Sequence, residues 1–132
     1  MIPFANEAMA IATFCLAQNI YFEARGESVR GQYLVAMSTL NRAKRDPEQV
    51  CNVVFRPHQY SWTKQRGGLG IHDLNAWKLA NNIAHDVWIR DDQTHGATHY
   101  HAVYIPKPDW AYKMKPTVRV GKHQFYCCEK QK

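Results

Sequence analysis

Cysteine is scarce: four residues in 132, at positions 15, 51, 127 and 128, with no C-x-x-C spacing of the kind that holds zinc or runs redox chemistry. That count is too sparse for a disulfide framework, so free thiols are the expectation. Long apolar runs are also missing. The opening stretch MIPFANEAMAIATF lacks a basic leader, and the apolar residues that follow are broken up by Glu7, Thr13, Gln18 and Asn19. This excludes a membrane span and predicts a protein with no signal peptide, held in the cytoplasm where it is made until something else releases it. Internal repeats and low-complexity tracts are absent, which argues against solenoids and linkers. Acids are few relative to bases, 11 against 17, for a net charge of +6. Such a surplus favours a polyanionic partner, whether nucleic acid, membrane surface or cell-wall polymer, without choosing among them. The bases are scattered except in the tail from Lys113 to Lys132, so no arm or helix forms a phosphate-binding stripe, and nucleic acid is not the expected partner.

What is present fits one globular domain spanning residues 1–132. Hydrophobic residues make up 45% and charged residues 21% of the chain. A domain of this size buries roughly two-thirds of its unfolded surface, enough for a core without staples. Ala12, Leu16, Ile20 and Glu23 recur at helical spacing, so a helix from Glu7 to about Glu23 ends its apolar stripe on an acid. Gly26 is expected to close it in a left-handed turn. Ser28 caps a second helix with Val29, Tyr33, Ala36, Met37 and Leu40 on its inner face, and Arg42, Lys44 and Arg45 suit the end of that helix. Asp46-Pro47-Glu48-Gln49 starts a third helix running to about Phe55. Residues 56–70 read as loop, and Asp73 opens a fourth helix reaching about Arg90. The run Thr98 to Ile105 is rich in strand formers, and TVRV and HQFY flank Gly121-Lys122, a pair suited to a type II′ hairpin. The predicted architecture is α+β, mainly helical, with a small C-terminal antiparallel sheet.

Tyr21-Phe22-Glu23-Ala24-Arg25-Gly26-Glu27-Ser28 is the most informative stretch. A carboxyl packed against Leu16 and Ile20 loses hydration, which disfavours its charged form and suits it to donate a proton. The structural alternative is a solvated helix-end glutamate paired with Arg25 or Arg30. YFEARGES, Gly31-Gln32, Leu40-Asn41-Arg42, Gln59-Tyr60-Ser61-Trp62 and Gly121-Lys122-His123-Gln124-Phe125 together resemble the catalytic domain of the spore cortex-lytic, SleB-like cell-wall hydrolases, from about Ala17 to Tyr126. The resemblance implies a lysozyme-like fold. It also implies cleavage of the β-1,4 link between N-acetylmuramic acid and N-acetylglucosamine in bacterial peptidoglycan, usually by lytic transglycosylation, with Glu23 at the family's catalytic glutamate. A short, basic, signal-less version looks like a bacteriophage endolysin, expected to work as a monomer.

The chemistry of the residues agrees with a one-acid route. Two-carboxylate hydrolysis needs a partner acid about 5 to 9 Å from the first, and Glu27, the nearest in sequence, is read as a structural or substrate-binding residue. A transglycosylase needs only one acid/base. Tyr60, Ser61 and Trp62 offer an aromatic face and hydrogen-bonding groups for sugar, with core packing the alternative for Trp62. On the predicted strand, Tyr100, Ala102 and Tyr104 face one way and His99, His101 and Val103 the other, so Tyr100 or His101 would line the groove. His99-x-His101 could offer two metal ligands, but no third has recognisable spacing. Neither metal nor cofactor is expected. His123 is read as fixing the hairpin. The competing functions are a hydrolytic muramidase with the same acid, in which Glu27 would serve directly in the chemistry, and a non-catalytic basic module on wall polymer or nucleic acid, which needs no acid at Glu23.

Overall fold

The computed structural model describes residues 3–56 and 70–130, with side chains described from residue 7 onward. Four helices come first: α1 (Pro3–Ala24), α2 (Val29–Arg42), α3 (Pro47–Phe55) and α4 (Leu74–Asp86), the last continued by a 3₁₀ turn at Val87–Ile89. Strands β1 (His99–Ala102), β2 (Met114–Val120) and β3 (His123–Glu129) follow, with a second 3₁₀ turn at Asp109–Lys113. This is the lysozyme-like α+β arrangement, mainly helical with one small sheet.

Helix starts obey local chemistry. Ser28 Oγ accepts from the Gly31 N–H at 3.1 Å, Asp46 from the Glu48 N–H at 2.9 Å, and Asp73 from the Ala76 N–H at 3.0 Å, so each cap satisfies a donor that the helix leaves unpaired. Helix α1 is central and packs on α2, α3 and α4. Its stripe is fully buried at Ala12, Leu16 and Ile20, and each large apolar side chain buried this way contributes about 1.5 to 3 kcal/mol. The Tyr21 hydroxyl accepts from the backbone N–H groups of His72 and Asp73, both at 3.1 Å, and thereby pins the entry to α4 against α1.

The sheet has order β1-β3-β2, all antiparallel, so β3 is central and β2 an edge strand, where Pro116 costs no ladder bond. Val120 pairs with His123 across the Gly121-Lys122 turn. Gly121 has φ +56° and Lys122 is not left-handed, as a type II′ turn requires.

Four expectations need correction. Gly26 is not left-handed; the end of α1 closes instead through the Glu27 N–H on the Ala24 carbonyl at 2.9 Å. The fourth helix stops at Asp86 and tightens into a 3₁₀ turn, and the first strand is shorter than Thr98 to Ile105. Its register with β3 covers residues 99–102, with the Thr98 N–H still donating to the Tyr126 carbonyl at 2.9 Å, and the chain turns away after Ala102. The cysteines are not free thiols: Cys15 and Cys51 form a disulfide with Cα atoms 5.3 Å apart, and the adjacent Cys127 and Cys128 are also joined. Packing of α1 on α3 brings together two cysteines 36 residues apart, a proximity that spacing along the chain does not encode.

Candidate active site

Glu23 lies in the last turn of α1, half-buried, on the same helix face as Asn19 one turn earlier. Asn19 is fully buried and bridges two elements: its Oδ1 accepts from Thr39 Oγ1 on α2 at 2.7 Å, and its Nδ2 donates to the Tyr100 hydroxyl on β1 at 3.4 Å. The face carrying Glu23 is thereby turned toward β1. Phe22 packs edge-on against Tyr21, and the Arg25 guanidinium lies 4.6 Å from the centre of the Tyr21 ring.

Glu27 has a different situation. Its side chain is 10% exposed, and its Oε1 accepts from the Lys122 N–H at 2.7 Å and lies 3.5 Å from His123 Nδ1. That approach is long, and His123 Nδ1 has no hydrogen-bond partner, so the contact is an electrostatic one. A Cβ at Gly121 would collide with the same carboxylate. Gln32 Nε2 donates to the Glu27 carbonyl at 3.1 Å, tying the backbone to α2 as well. Burial pulls the His123 imidazole below its ordinary pKa, the Glu27 charge pulls it back up, and His101 lowers it further. Glu27 is therefore a strut between the α1–α2 turn and the β2–β3 turn.

Tyr100 and His101 occupy opposite faces of β1. Tyr100 packs on His123 and Phe125 toward the helices, with ring centroids 5.2 and 5.5 Å away. His101 stacks on Tyr126 at 5.3 Å, shares a 2.8 Å hydrogen bond with its hydroxyl, and meets Trp110 edge-on. Of the two, Tyr100 is the one that meets α1, at Asn19 one turn before Glu23. Tyr60, Ser61 and Trp62 lie outside the described residues. His99 sits 5.2 Å from Trp110, and burial first, then the Arg42 charge, pushes its pKa down to about 4. Among the described residues, no group of three His, Cys, Asp or Glu is placed to hold a metal ion.

Sequence reasoning missed Asn19, Thr39 and Trp110. Asn19 carried a signal, since it is a polar residue four positions before Glu23 on an otherwise apolar face. The other two become informative only through contacts made across the fold.

A family model described as Cell Wall Hydrolase matches residues 26–126. The chain belongs to the cell wall hydrolase family. Glu23 lies three positions before the matched segment of this cell wall hydrolase domain. The domain is 30% identical over 112 residues to a spore cortex-lytic enzyme of Halalkalibacterium halodurans, a match covering 83% of this chain and 33% of the relative. It is also 30% identical over 121 residues to the spore cortex-lytic enzyme of Bacillus subtilis, covering 86% of this chain and 36% of that protein. The chain thus spans about a third of the length of the curated relatives it matches. Two solved structures have this fold, each with a TM-score of 0.71 and 25% identity over 87% of the chain: the catalytic domain of the Bacillus cereus SleB protein, 88% covered, and that of the germination-specific lytic transglycosylase SleB from Bacillus anthracis, 93% covered.

Proposed function

We propose that this cell wall hydrolase domain is a lytic transglycosylase that cleaves the β-1,4 bond between N-acetylmuramic acid and N-acetylglucosamine in bacterial peptidoglycan, with Glu23 as its acid/base. The observation that carries this is the contrast between two carboxylates. Glu27, the only acid close to Glu23 in sequence, has its Oε1 taken up by the Lys122 N–H, inside a contact that closes the sheet onto the helices. The proposed reaction therefore runs on one acid. The protonated Glu23 carboxyl gives its proton to the glycosidic oxygen, and the bond from the muramic C1 breaks with its electron pair passing to that oxygen. The carboxylate then takes the proton of the sugar's own C6 hydroxyl, whose oxygen closes on C1 to form a 1,6-anhydro ring. An intramolecular nucleophile is already held near C1, so no water needs placing.

The relatives named spore cortex-lytic enzyme and germination-specific lytic transglycosylase support the substrate class. The charge of +6 supports attraction to an anionic wall. We place the enzyme in a phage-type lysis setting, acting on the bacterial wall. Turbidity of purified peptidoglycan tests the activity: wild type clears the suspension and Glu23→Gln, still folded, does not. Equal clearing by both would sink the assignment.

A further inference from the structure

The two ends of the sheet are built differently. At the Gly121 turn, Glu27 and His123 close the junction with the helices. At the other end, three to six residues along β3 from His123, or about 10 to 20 Å at the rise of a strand, the structure holds a cavity of about 610 Å³. Trp110, His99 and Met114 give it a largely apolar lining, and Lys113 and Glu129 stand at its rim as exposed side chains of opposite charge. Its volume is that of a small-molecule or peptide site. Met114 pairs with Glu129 across β2 and β3, and the Lys130 N–H donates to the Lys113 carbonyl at 2.8 Å, so both charges are carried on hydrogen-bonded backbone. No ion pair within 4 Å joins the two side chains, which leaves a cation and an anion available at one opening.

We infer that this cavity is a subsite for the peptide stem of peptidoglycan, with Lys113 taking a stem carboxylate, Glu129 taking a stem amino group, and Trp110 with Met114 covering the small apolar side chains between them. The inference rests on the proposed substrate class. A sugar ring offers neither charge, whereas a short peptide with free carboxylate and amino groups offers both, and this complementarity selects the stem over the glycan. His99 and Trp110 lie on the face of β1 opposite Tyr100, so the pocket opens on the far side of the sheet from Glu23. It would hold a stem of the surrounding wall rather than that of the muramic residue being cut, so that the enzyme prefers peptide-bearing wall to naked glycan.

Two readouts separate this inference from the catalytic one. A synthetic stem tetrapeptide (L-Ala-γ-D-Glu-meso-diaminopimelate-D-Ala) titrated into the protein should shift the Trp110 indole N–H resonance saturably. Lys113→Ala and Glu129→Ala should each weaken that binding about two- to fivefold, the scale of an exposed ion pair. In digestion, both variants should raise KM for intact peptidoglycan at unchanged kcat and leave turnover of glycan strands stripped of their stems by an amidase untouched. Absence of peptide binding, or variants that bind and digest as wild type does, overturns the stem site while clearing of stripped strands preserves the activity. Peptide binding weakened by both variants, in a protein that cuts neither glycan, supports the stem site and overturns the catalytic reading instead.

Discussion

Glu23 and Glu27 are four residues apart in one motif, yet the structure treats them as different kinds of group. Glu27 leaves the helix, folds back, and spends its Oε1 on the Lys122 N–H with His123 at 3.5 Å, and Gly121 leaves room for it by having no side chain. Glu23 stays on the last turn of α1, half-buried, on the face where Asn19 reaches toward Tyr100. The difference teaches that residue type and motif membership do not assign chemistry. On the proposed reading, the carboxylate that accepts from a backbone donor in a buried junction holds structure, and the one at the end of the apolar face trades a proton with the substrate.

Substitutions at the two positions should diverge, and the largest effect belongs to Glu23. Glu23→Gln should lower kcat on purified peptidoglycan at least about a hundredfold, the lower scale of general acid catalysis, with the thermal midpoint nearly unchanged. Glu27→Ala should do the reverse. Loss of a hydrogen bond to a charged acceptor costs about 1.5 to 3 kcal/mol of stability, and below the melting temperature the remaining folded protein should still turn over. Glu27→Gln keeps an acceptor oxygen and should lose less. Urea unfolding read beside initial rates checks both variants; a Glu27→Gln protein that is stable but inactive would erase the contrast.

Gly121→Ala should destabilise by about 1 to 2 kcal/mol from the left-handed backbone, and more from collision with the Glu27 carboxylate. The double variant Glu27→Ala/Gly121→Ala should therefore cost less than the sum of its parts, and strict additivity in the double-mutant cycle would deny the contact. The smallest effect is a pH dependence. Burial lowers the folded-state pKa of His123, so the folded protein binds fewer protons than the unfolded chain below the ordinary value of 6.5, and this residue's contribution is whole above that pH and lost as pH falls. Glu27 is the one charge raising that pKa, against burial and His101. Removing it should deepen the acid loss, so the fall in thermal midpoint from pH 7 to pH 5 should be larger in Glu27→Gln than in wild type. An equal or smaller fall would mean that Glu27 does not act on His123.

Much of the fold was legible because it is local. Ser28, Asp46 and Asp73 sit next to the helices they cap, and Gly121 next to the strands it joins. Position on a stripe sufficed to bury Leu16 and Ile20 and to leave Glu23 at the stripe's end. Contacts made across the chain were not legible. The bond from Glu27 to the Lys122 backbone spans 95 residues, and the Cys15–Cys51 link spans 36. Gly26 was misread because a glycine after a helix suggests a left-handed cap, whereas here a turn through the Ala24 carbonyl ends the helix without one. Strand alternation placed Tyr100 and His101 on opposite faces, but it took the packing of Asn19 against Tyr100 to show which face turns to the helices.

If one carboxylate suffices, the reaction products show it. Mass spectrometry of muropeptides released from purified peptidoglycan should be dominated by 1,6-anhydromuramyl ends, each lighter than a reducing end by one water, because the C6 hydroxyl takes the place of an external nucleophile. A digest dominated by reducing-end muramic acid would contradict the claim, since hydrolysis requires a group that positions water and would return a second acid to the mechanism.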